Sequence, residues 1–195
     1  MKITGFKRLL LLGVFFLIAT NIQAQTITET DGNFNLYSNG IVSCTSASDG
    51  DTGLLDGVTY TRRTKAQIQA DNSLASTSCT SGITDMSFMF NGASTFNEDV
   101  SSWDVSNVTT MFLLFTGASS FNGDVSEWDV SNVTNMGNVF QQASSFTGDV
   151  SSWDVSSATN MYQMFFLATN FNQDLSSWCV TNLGSEPSDF STNSS

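Results

Sequence analysis

The 195-residue chain contains no histidine, a single proline and only three cysteines. Without histidine, Cys/His zinc fingers, Ser-His-Asp and Cys-His catalytic sets and histidine-based metal centres are excluded. Basic residues are also scarce: six Lys and Arg stand against 18 Asp and Glu, and none follows Lys65. Such a surface repels nucleic acid and anionic lipid and attracts cations or basic partners. The simpler alternative is that the charge serves solubility in a salty extracellular medium.

The first 24 residues differ in character from the rest. They run from a basic start, MKITGFKR, through an apolar stretch, LLLLGVFFLIA, to a small residue at Ala24. This order predicts a signal peptide at 1–24 that is cleaved after Ala24, with an uncleaved anchor as the alternative. The apolar stretch is too short to favour a stable transmembrane span. We therefore expect a secreted or cell-surface protein with no membrane span after cleavage.

An internal repeat fills the second half of the chain. Tryptophan recurs every 25 residues, in units that run over about 83–107, 108–132, 133–157 and 158–182. So short and regular a period predicts a solenoid, because one coil cannot bury its apolar side chains but stacked coils form a continuous core. The columns predicted to be buried are Trp103, Trp128, Trp153 and Trp178; Phe96, Phe121, Phe146 and Phe171; Phe90, Phe115, Phe140 and Phe165; Met86, Met111, Met136 and Met161; and Ala93, Ala118, Ala143 and Ala168.

Each repeat also predicts a local structure. Alternation in Ser-Trp-Asp-Val predicts a short strand with Trp103 inward and Asp104 outward. The segment VTTMFLLFTGAS predicts one or two helical turns, with threonines such as Thr109 as N-caps or turn formers. The asparagine that ends the strand is expected to be buried and to bond turn backbones, at Asn107, Asn132 and Asn182, with Ser157 as a weaker rung. Backbone amides of the return turn are expected to be capped by Asp99, Asp124, Asp149 and Asp174.

The pattern FN-x-D-[VL]-S-x-W-[DC]-V-[ST]-[NS]-[VAL], together with M-x-x-x-F-x-x-A, resembles the 25-residue repeats of BspA-like leucine-rich repeat surface proteins of bacteria. The resemblance covers about 83–182. It implies a right-handed, leucine-rich-repeat-like solenoid of the α/β repeat class, with about four coils, on a secreted or cell-surface protein. It also implies adhesion to host or matrix proteins, other cells or surfaces. No catalytic residue is common to that family.

The segments on either side of the repeat differ from it. Residues 25–82 predict a small α+β N-terminal cap, with a hairpin at Asp56-Gly57 and a short helix in RRTKAQIQADN. An independent binding module is the alternative. In an exported protein we expect Cys44 and Cys79 to form a disulfide, which leaves Cys179 unpaired. Residues 183–195 are polar and predict a disordered tail. In similar proteins a later cysteine pairs with the equivalent of Cys179, so here the chain is truncated or Cys179 is free or intermolecular.

The outward strand positions give the candidate binding face. Its carboxylates repel one another when stacked, and this repulsion is relieved by solvent, by raised pKa values or by bound cations such as Ca²⁺. A solvated face is the simpler interpretation, and we assign no metal site and no cofactor. We expect a monomeric, non-catalytic recognition or adhesion protein for extracellular protein or glycan ligands; a structural or cation-dependent surface-layer spacer is the alternative. The candidate ligand-binding residues are Ser102, Asp104, Glu127, Asp129, Ser152 and Asp154.

Overall fold

The computed structural model describes residues 26–192 and 194. The predicted signal peptide at 1–24 therefore lies outside the described residues. Within the described part of the chain, no helix has the length and apolar character needed to cross a membrane.

Residues 26–82 contain the regular secondary structure. An antiparallel sheet, ordered β1-β2-β3, consists of β1 (Ile27–Asp31), β2 (Phe34–Tyr37) and β3 (Val42–Ser43). A second sheet has the order β4-β5-β6 and consists of β4 (Thr52–Leu55), β5 (Val58–Arg62) and β6 (Ser78–Cys79). Strands β4 and β5 are antiparallel, whereas β5 and β6 are parallel. Between β5 and β6 lie the helix α1 (Lys65–Ala70) and a 3₁₀ helix (Asn72–Thr77).

Local sequence accounts for the hairpin and for the start of the helix. Strands β4 and β5 are joined by Asp56 and Gly57, whose φ angles of 48° and 75° are the left-handed values of a two-residue hairpin turn. Helix α1 begins with a capping box: the Thr64 hydroxyl accepts from the Gln67 N–H, and the Gln67 side chain accepts from the Thr64 N–H at 2.8 Å.

A disulfide and an arginine hold the two sheets together. The predicted bond between Cys44 and Cys79 is confirmed, and both sulfurs lie in a small buried core with Phe34 and Leu55. Beside it, the Arg62 guanidinium donates to the carbonyls of Cys44 and Ala47. Residues 26–82, called the cap below, thus have a small core of their own, while Ile68 and Ala75 of the same segment belong to the core of the repeats.

From Ile83 onward, equivalent residues of successive repeats lie above one another. Parallel bridges join Asp85 to Thr110, Thr110 to Asn135, and Asn135 to Asn160. The tryptophan rings follow at centroid distances of 6.1, 6.4 and 6.5 Å with nearly parallel planes. The Trp, Phe and Met columns are buried as predicted, and each Trp Nε1 donates to a backbone carbonyl, as from Trp128 to Val100 at 3.0 Å. The repeats are therefore stacked coils that share one aromatic core.

The segment between the column methionine and the column alanine forms consecutive tight turns. In the second coil, Leu114 N–H donates back to Met111 at 3.0 Å, while Leu113 N–H donates to Gly137 of the next coil at 3.0 Å. Successive backbone N–H groups thus alternate between an acceptor in the same coil and an acceptor in the next coil. The helical-turn prediction is wrong for this segment, because Leu113 has a left-handed φ of 61° and half of the N–H groups point along the stack.

The predicted Ser-Trp-Asp-Val strand is also replaced by turns. Asp99 Oδ1 accepts from Ser101 N–H at 2.9 Å, and Trp103 N–H donates back to the Val100 carbonyl at 3.2 Å. A strand is prevented because the backbone N–H of Trp103 is used inside its own turn rather than in a ladder. Among residues 26–192, the first coil alone has a bridge at this level, from Val42 of the cap to Trp103.

The same five-residue turn occurs a second time in each coil. In DVSNV, Asp104 Oδ1 accepts from Ser106 N–H at 3.1 Å, and Val108 N–H donates back to Val105 at 2.9 Å. The aspartate beside each tryptophan therefore starts a turn. In the fourth coil Cys179 takes that place, with its sulfur 3.9 Å from the Thr181 hydroxyl. The structure describes Cys179 as free and exposed.

Hydrogen-bond ladders connect neighbouring coils at the coil edge. The Asn132 side chain donates to the Ser106 carbonyl of the preceding coil at 2.8 Å, and Asn107 and Asn182 make equivalent bonds. These asparagines are exposed, so the prediction that they are buried is wrong. Thr134 donates to the Thr109 carbonyl at 3.1 Å. The predicted threonine N-caps are thus rungs between coils.

Residues 183–192 differ from the predicted disordered tail. Phe165 N–H donates to the Phe190 carbonyl at 2.8 Å, and Leu167 N–H donates to Thr192 at 3.0 Å. The Phe190 ring is buried edge-on against Phe165 and Trp178. The polar composition of this segment gave no indication that Phe190 would be buried. Its side chain covers the last coil and so removes the apolar core at that end from water.

Candidate functional site

The predicted binding face consists of turns whose aspartates are already engaged. Asp104 and Asp129 each accept from the N–H of the serine two residues on, at 3.1 Å, and from that serine's hydroxyl at 2.6 Å. Asp154 accepts from Ser156 N–H at 3.0 Å. The recurrence of this aspartate in successive coils therefore has a structural cause. It does not by itself indicate a ligand.

Three of the six predicted residues line one cleft. Asp104, Glu127 and Asp129 face a space of about 300 Å³ between the first two complete coils and the cap. Glu127 also breaks the repeat, because serine stands at 102, 152 and 177. The acidic row thus lines a concave site where it meets the cap.

The opposite wall of the cleft comes from the cap and was missed by sequence reasoning. It contains Tyr37 at the end of β2, Ile41 just before β3, and Ser43 and Thr45. These residues lie outside the repeat, so no periodic signal marks them. Val42 N–H donates to the Ser102 carbonyl at 2.8 Å and positions this wall against the first coil.

The other three predicted residues have different surroundings. Ser102 hydrogen-bonds the Tyr60 hydroxyl between cap and coil; burial raises the pKa of Tyr60, and this bond opposes the rise. Ser152 donates to the Ser126 carbonyl at 3.1 Å, so it is another rung between coils. Neither Ser152 nor Asp154 lines the cleft. The six residues therefore do not all line the same cleft.

A second cleft, of about 280 Å³, contains the basic residues that follow the predicted signal peptide. Arg62 pairs with Asp49 at 3.3 Å, and Lys65 pairs with Asp85 at 3.3 Å. Arg63 donates to the Thr77 carbonyl at 2.7 Å, and partial burial lowers its pKa. These cations are already engaged with cap and first-coil groups, so the cleft is a structural junction.

Metal ligation has little support from the side chains. No group of three or more His, Cys, Asp or Glu residues that could hold a metal ion occurs within residues 26–192 and 194. In the acidic loop Ser48–Asp51, one carboxylate pairs with Arg62 and the other accepts from Ser48 N–H at 2.8 Å. The loop carboxylates are thus used within the cap.

A different face carries positions that vary between coils. The two residues after each column methionine are Ser-Phe, Phe-Leu, Gly-Asn and Tyr-Gln. Two of these rings are among the most exposed apolar side chains, with Phe88 at 49% and Tyr162 at 46%. The Phe88 and Phe112 rings pack edge to face at 5.5 Å. Among these positions, Gly137 and Asn138 are buried whereas Phe88 and Tyr162 are exposed, so packing constrains them unequally. We call this set the variable face: Ser87, Phe88, Phe112, Leu113, Gly137, Asn138, Tyr162 and Gln163.

A family model described as "Mycoplasma protein of unknown function, DUF285" matches residues 63–178 and 123–194, more than half of the chain. The matches include the coils and residues 183–192, which agrees with the packing of that segment onto the last coil. Searches of curated proteins and of solved structures found no match. The family description is compatible with a bacterial repeat protein and gives no activity. On the extent of this match, the chain belongs to the DUF285 family.

Proposed function

We propose that this protein is a non-catalytic recognition or adhesion protein, secreted or at the bacterial cell surface. It binds extracellular protein or glycan ligands through the acidic side of the coil stack. The observation that carries the proposal is the cleft of about 300 Å³ in which Asp104, Glu127 and Asp129 face Tyr37 of the cap. Concave sites lined by a few polar groups and apolar side chains are the usual places where proteins bind ligands.

The contrast between repeated and unrepeated residues supports this location. Asp154 occupies the same turn as Asp104 and Asp129 but has no facing cap wall. A ligand at the cleft therefore meets two surfaces, whereas a ligand further along the row meets one. Binding energy in protein interfaces concentrates at such enclosed positions.

The fold belongs to the same proposal. We infer that the stacked coils form a right-handed solenoid of the leucine-rich-repeat type, as in BspA-like surface proteins. The parallel bridges between coils and the unbroken 25-residue register support this inference. A crystal structure tests it directly: coils that wind in the left-handed sense contradict it.

A binding screen tests the function. The purified protein is immobilised and presented with extracellular matrix proteins and an array of glycans. We expect a ligand whose binding is lost in Asp104→Asn/Glu127→Gln/Asp129→Asn, because these changes remove charge while the amides keep the turn bonds. Asp154→Asn is the matched control. If the triple variant retains the binding of the parent for every captured ligand, the proposed site is wrong.

A structural spacer is the second candidate function. It is favoured by the fact that the repeated Asp, Asn and Thr residues all make bonds within or between coils. A cation-dependent form of this function predicts that CaCl₂ raises the melting temperature, since a ligand that binds only the folded state stabilises it. An unchanged melting temperature contradicts the cation-dependent form. A ligand whose binding depends on the cleft residues contradicts the spacer function.

A further inference from the structure

We propose that the acidic cleft binds a lysine or arginine side chain of a protein partner. The inference rests on the proposed recognition function and specifies the chemistry of its ligand. The space of about 300 Å³ lies between the cap and the coils, and its lining combines carboxylates, hydroxyls, an aromatic ring and aliphatic side chains. This combination matches a long side chain with an apolar stem and a cationic end.

Two of the three carboxylates are held in place before any ligand arrives. Asp104 Oδ1 and Asp129 Oδ1 each accept two hydrogen bonds from a serine, at 3.1 Å and 2.6 Å. In both residues the second oxygen, Oδ2, lies outside this turn. A carboxylate that is already fixed and has a second oxygen available to accept loses little side-chain entropy when a cation binds. This favours affinity.

The negative charge of the cleft is not neutralised by the described chain. The ion pairs of the described residues are Arg62–Asp49 and Lys65–Asp85, and both lie at the other cleft. No basic residue follows Lys65 in the sequence. A cationic partner thus supplies charge that this surface lacks. Complementary charge raises both the encounter rate and the specificity of binding.

The apolar part of the lining favours a side chain over a bare metal ion. The partly exposed Tyr37 borders the cleft together with the carboxylates, and the buried Ile41 and Val105 lie behind it in the same lining. The methylene groups of Lys and Arg pack on such surfaces while the charged end stays with polar groups, and an aromatic face attracts the cation. Calcium, in contrast, requires six to eight oxygen ligands.

A titration followed by NMR tests the inference. The ¹⁵N-labelled full-length protein is titrated with acetylated, amidated Gly-Arg-Gly or Gly-Lys-Gly at constant ionic strength. The neutral isostere Gly-citrulline-Gly is the control peptide. We expect shifts confined to the cleft residues, Kd values at least fivefold higher in Glu127→Gln, and less than a twofold change in Asp154→Asn. Tyr37→Leu is also expected to weaken binding, since it removes the ring.

Several results would overturn the inference. These are equal shifts with the citrulline peptide, shifts spread evenly along the acidic row, or equal weakening by Asp154→Asn and Glu127→Gln. Shifts of the same residues by CaCl₂ at lower concentration than the peptides would identify a cation site instead. If the peptides bind in the cleft but the screen yields no partner, only the proposed function fails. If a partner binds and Glu127→Gln has no effect, only this inference fails.

Discussion

In the cap each stabilising contact is made once, whereas in the coil stack the same contacts recur from layer to layer. The cap depends on one disulfide, one buried phenylalanine and one arginine that bonds several carbonyls. In the stack, Phe115, Phe140 and Phe165 follow one another at 5.6 and 5.5 Å, and tryptophan, asparagine and threonine form parallel rows. Repetition lets each layer support its neighbours, so the stack does not need a crosslink.

A second contrast lies within each coil. The Trp, Phe and Met columns are the same in every coil, whereas the variable face carries different residues in each coil. In the sequence, the recurring aspartates predict a binding face. In the structure, they recur because each one starts a turn. We propose that this row binds a ligand where it lines the cleft with residues of the cap. Residues that repeat in every coil are therefore explained by packing and hydrogen bonding. We look for a binding site at residues that depart from the repeat.

The largest effect is expected from a cavity in the stack. Phe140→Ala should lower the free energy of unfolding by about 3–5 kcal/mol, because the buried ring contacts rings in both neighbouring coils. Denaturant unfolding followed by tryptophan fluorescence measures it, since all four tryptophans lie in the coils. Phe34→Ala is the matched change in the cap. If it lowers the tryptophan-reported stability equally, cap and stack unfold as one unit and the comparison between them fails.

Removal of the disulfide should mainly affect the cap. Cys44→Ser/Cys79→Ser should cost about 2–5 kcal/mol of cap stability, because the reduced chain gains conformational freedom when unfolded. Hydrogen exchange followed by mass spectrometry should show faster exchange in 26–82 and near-parental protection in 108–182. Cys179→Ser, at an exposed free cysteine, is the control and should change neither region. Uniform loss of protection would show that the stack depends on the crosslink.

The asparagine ladder between coils lacks one rung at Ser157, and a substitution that restores this rung should stabilise the stack. Ser157→Asn should restore the ladder with a bond to the Ser131 carbonyl, by analogy with Asn132 to Ser106 and Asn182 to Ser156. One added hydrogen bond should raise the free energy of unfolding by about 0.5–1.5 kcal/mol, and Asn132→Ser should lower it by a similar amount. Urea midpoints measure both. A lower stability in Ser157→Asn together with a higher one in Asn132→Ser, or no change in either variant, would show that the rungs do not stabilise the stack.

The smallest effect is expected from acid. Hydrogen bonds from Ser151 and Ser176 hold the pKa values of Asp149 and Asp174 below the ordinary 3.8. A lowered pKa in the folded state contributes stability that is present above pH 3.8 and is lost as the pH falls through the lowered values. Melting temperatures between pH 5 and pH 2 should therefore fall less in Asp149→Asn/Asp174→Asn than in the parent. An equal fall in both would assign the acid sensitivity to other groups.

Much of the core could be predicted from the sequence, because a strict spacing places identical residues in register. The buried Trp, Phe and Met columns follow from that spacing, and the caps from Asp99 and its equivalents follow from Asx chemistry. The tight turns could not be predicted. Phe88 and Leu113 adopt left-handed φ angles of 61°, which bulky side chains rarely take and no local pattern signals. The burial of Phe190 could not be predicted, because a single aromatic residue in a polar segment produces no periodic pattern.

By itself, the sequence determined the repeat interval, the Trp, Phe and Met columns of the core and the cysteine pair. These properties depend on spacing and residue type, which are visible along the chain. The tertiary structure decided which backbone groups pair, because each rung joins residues in neighbouring coils, as Asn132 joins Ser106. It also decided that Asp104, Glu127 and Asp129 form a cleft while Asp154 does not. That difference arises from the docking of Tyr37 and Ile41 against the first coils, and no pattern within the repeats encodes it.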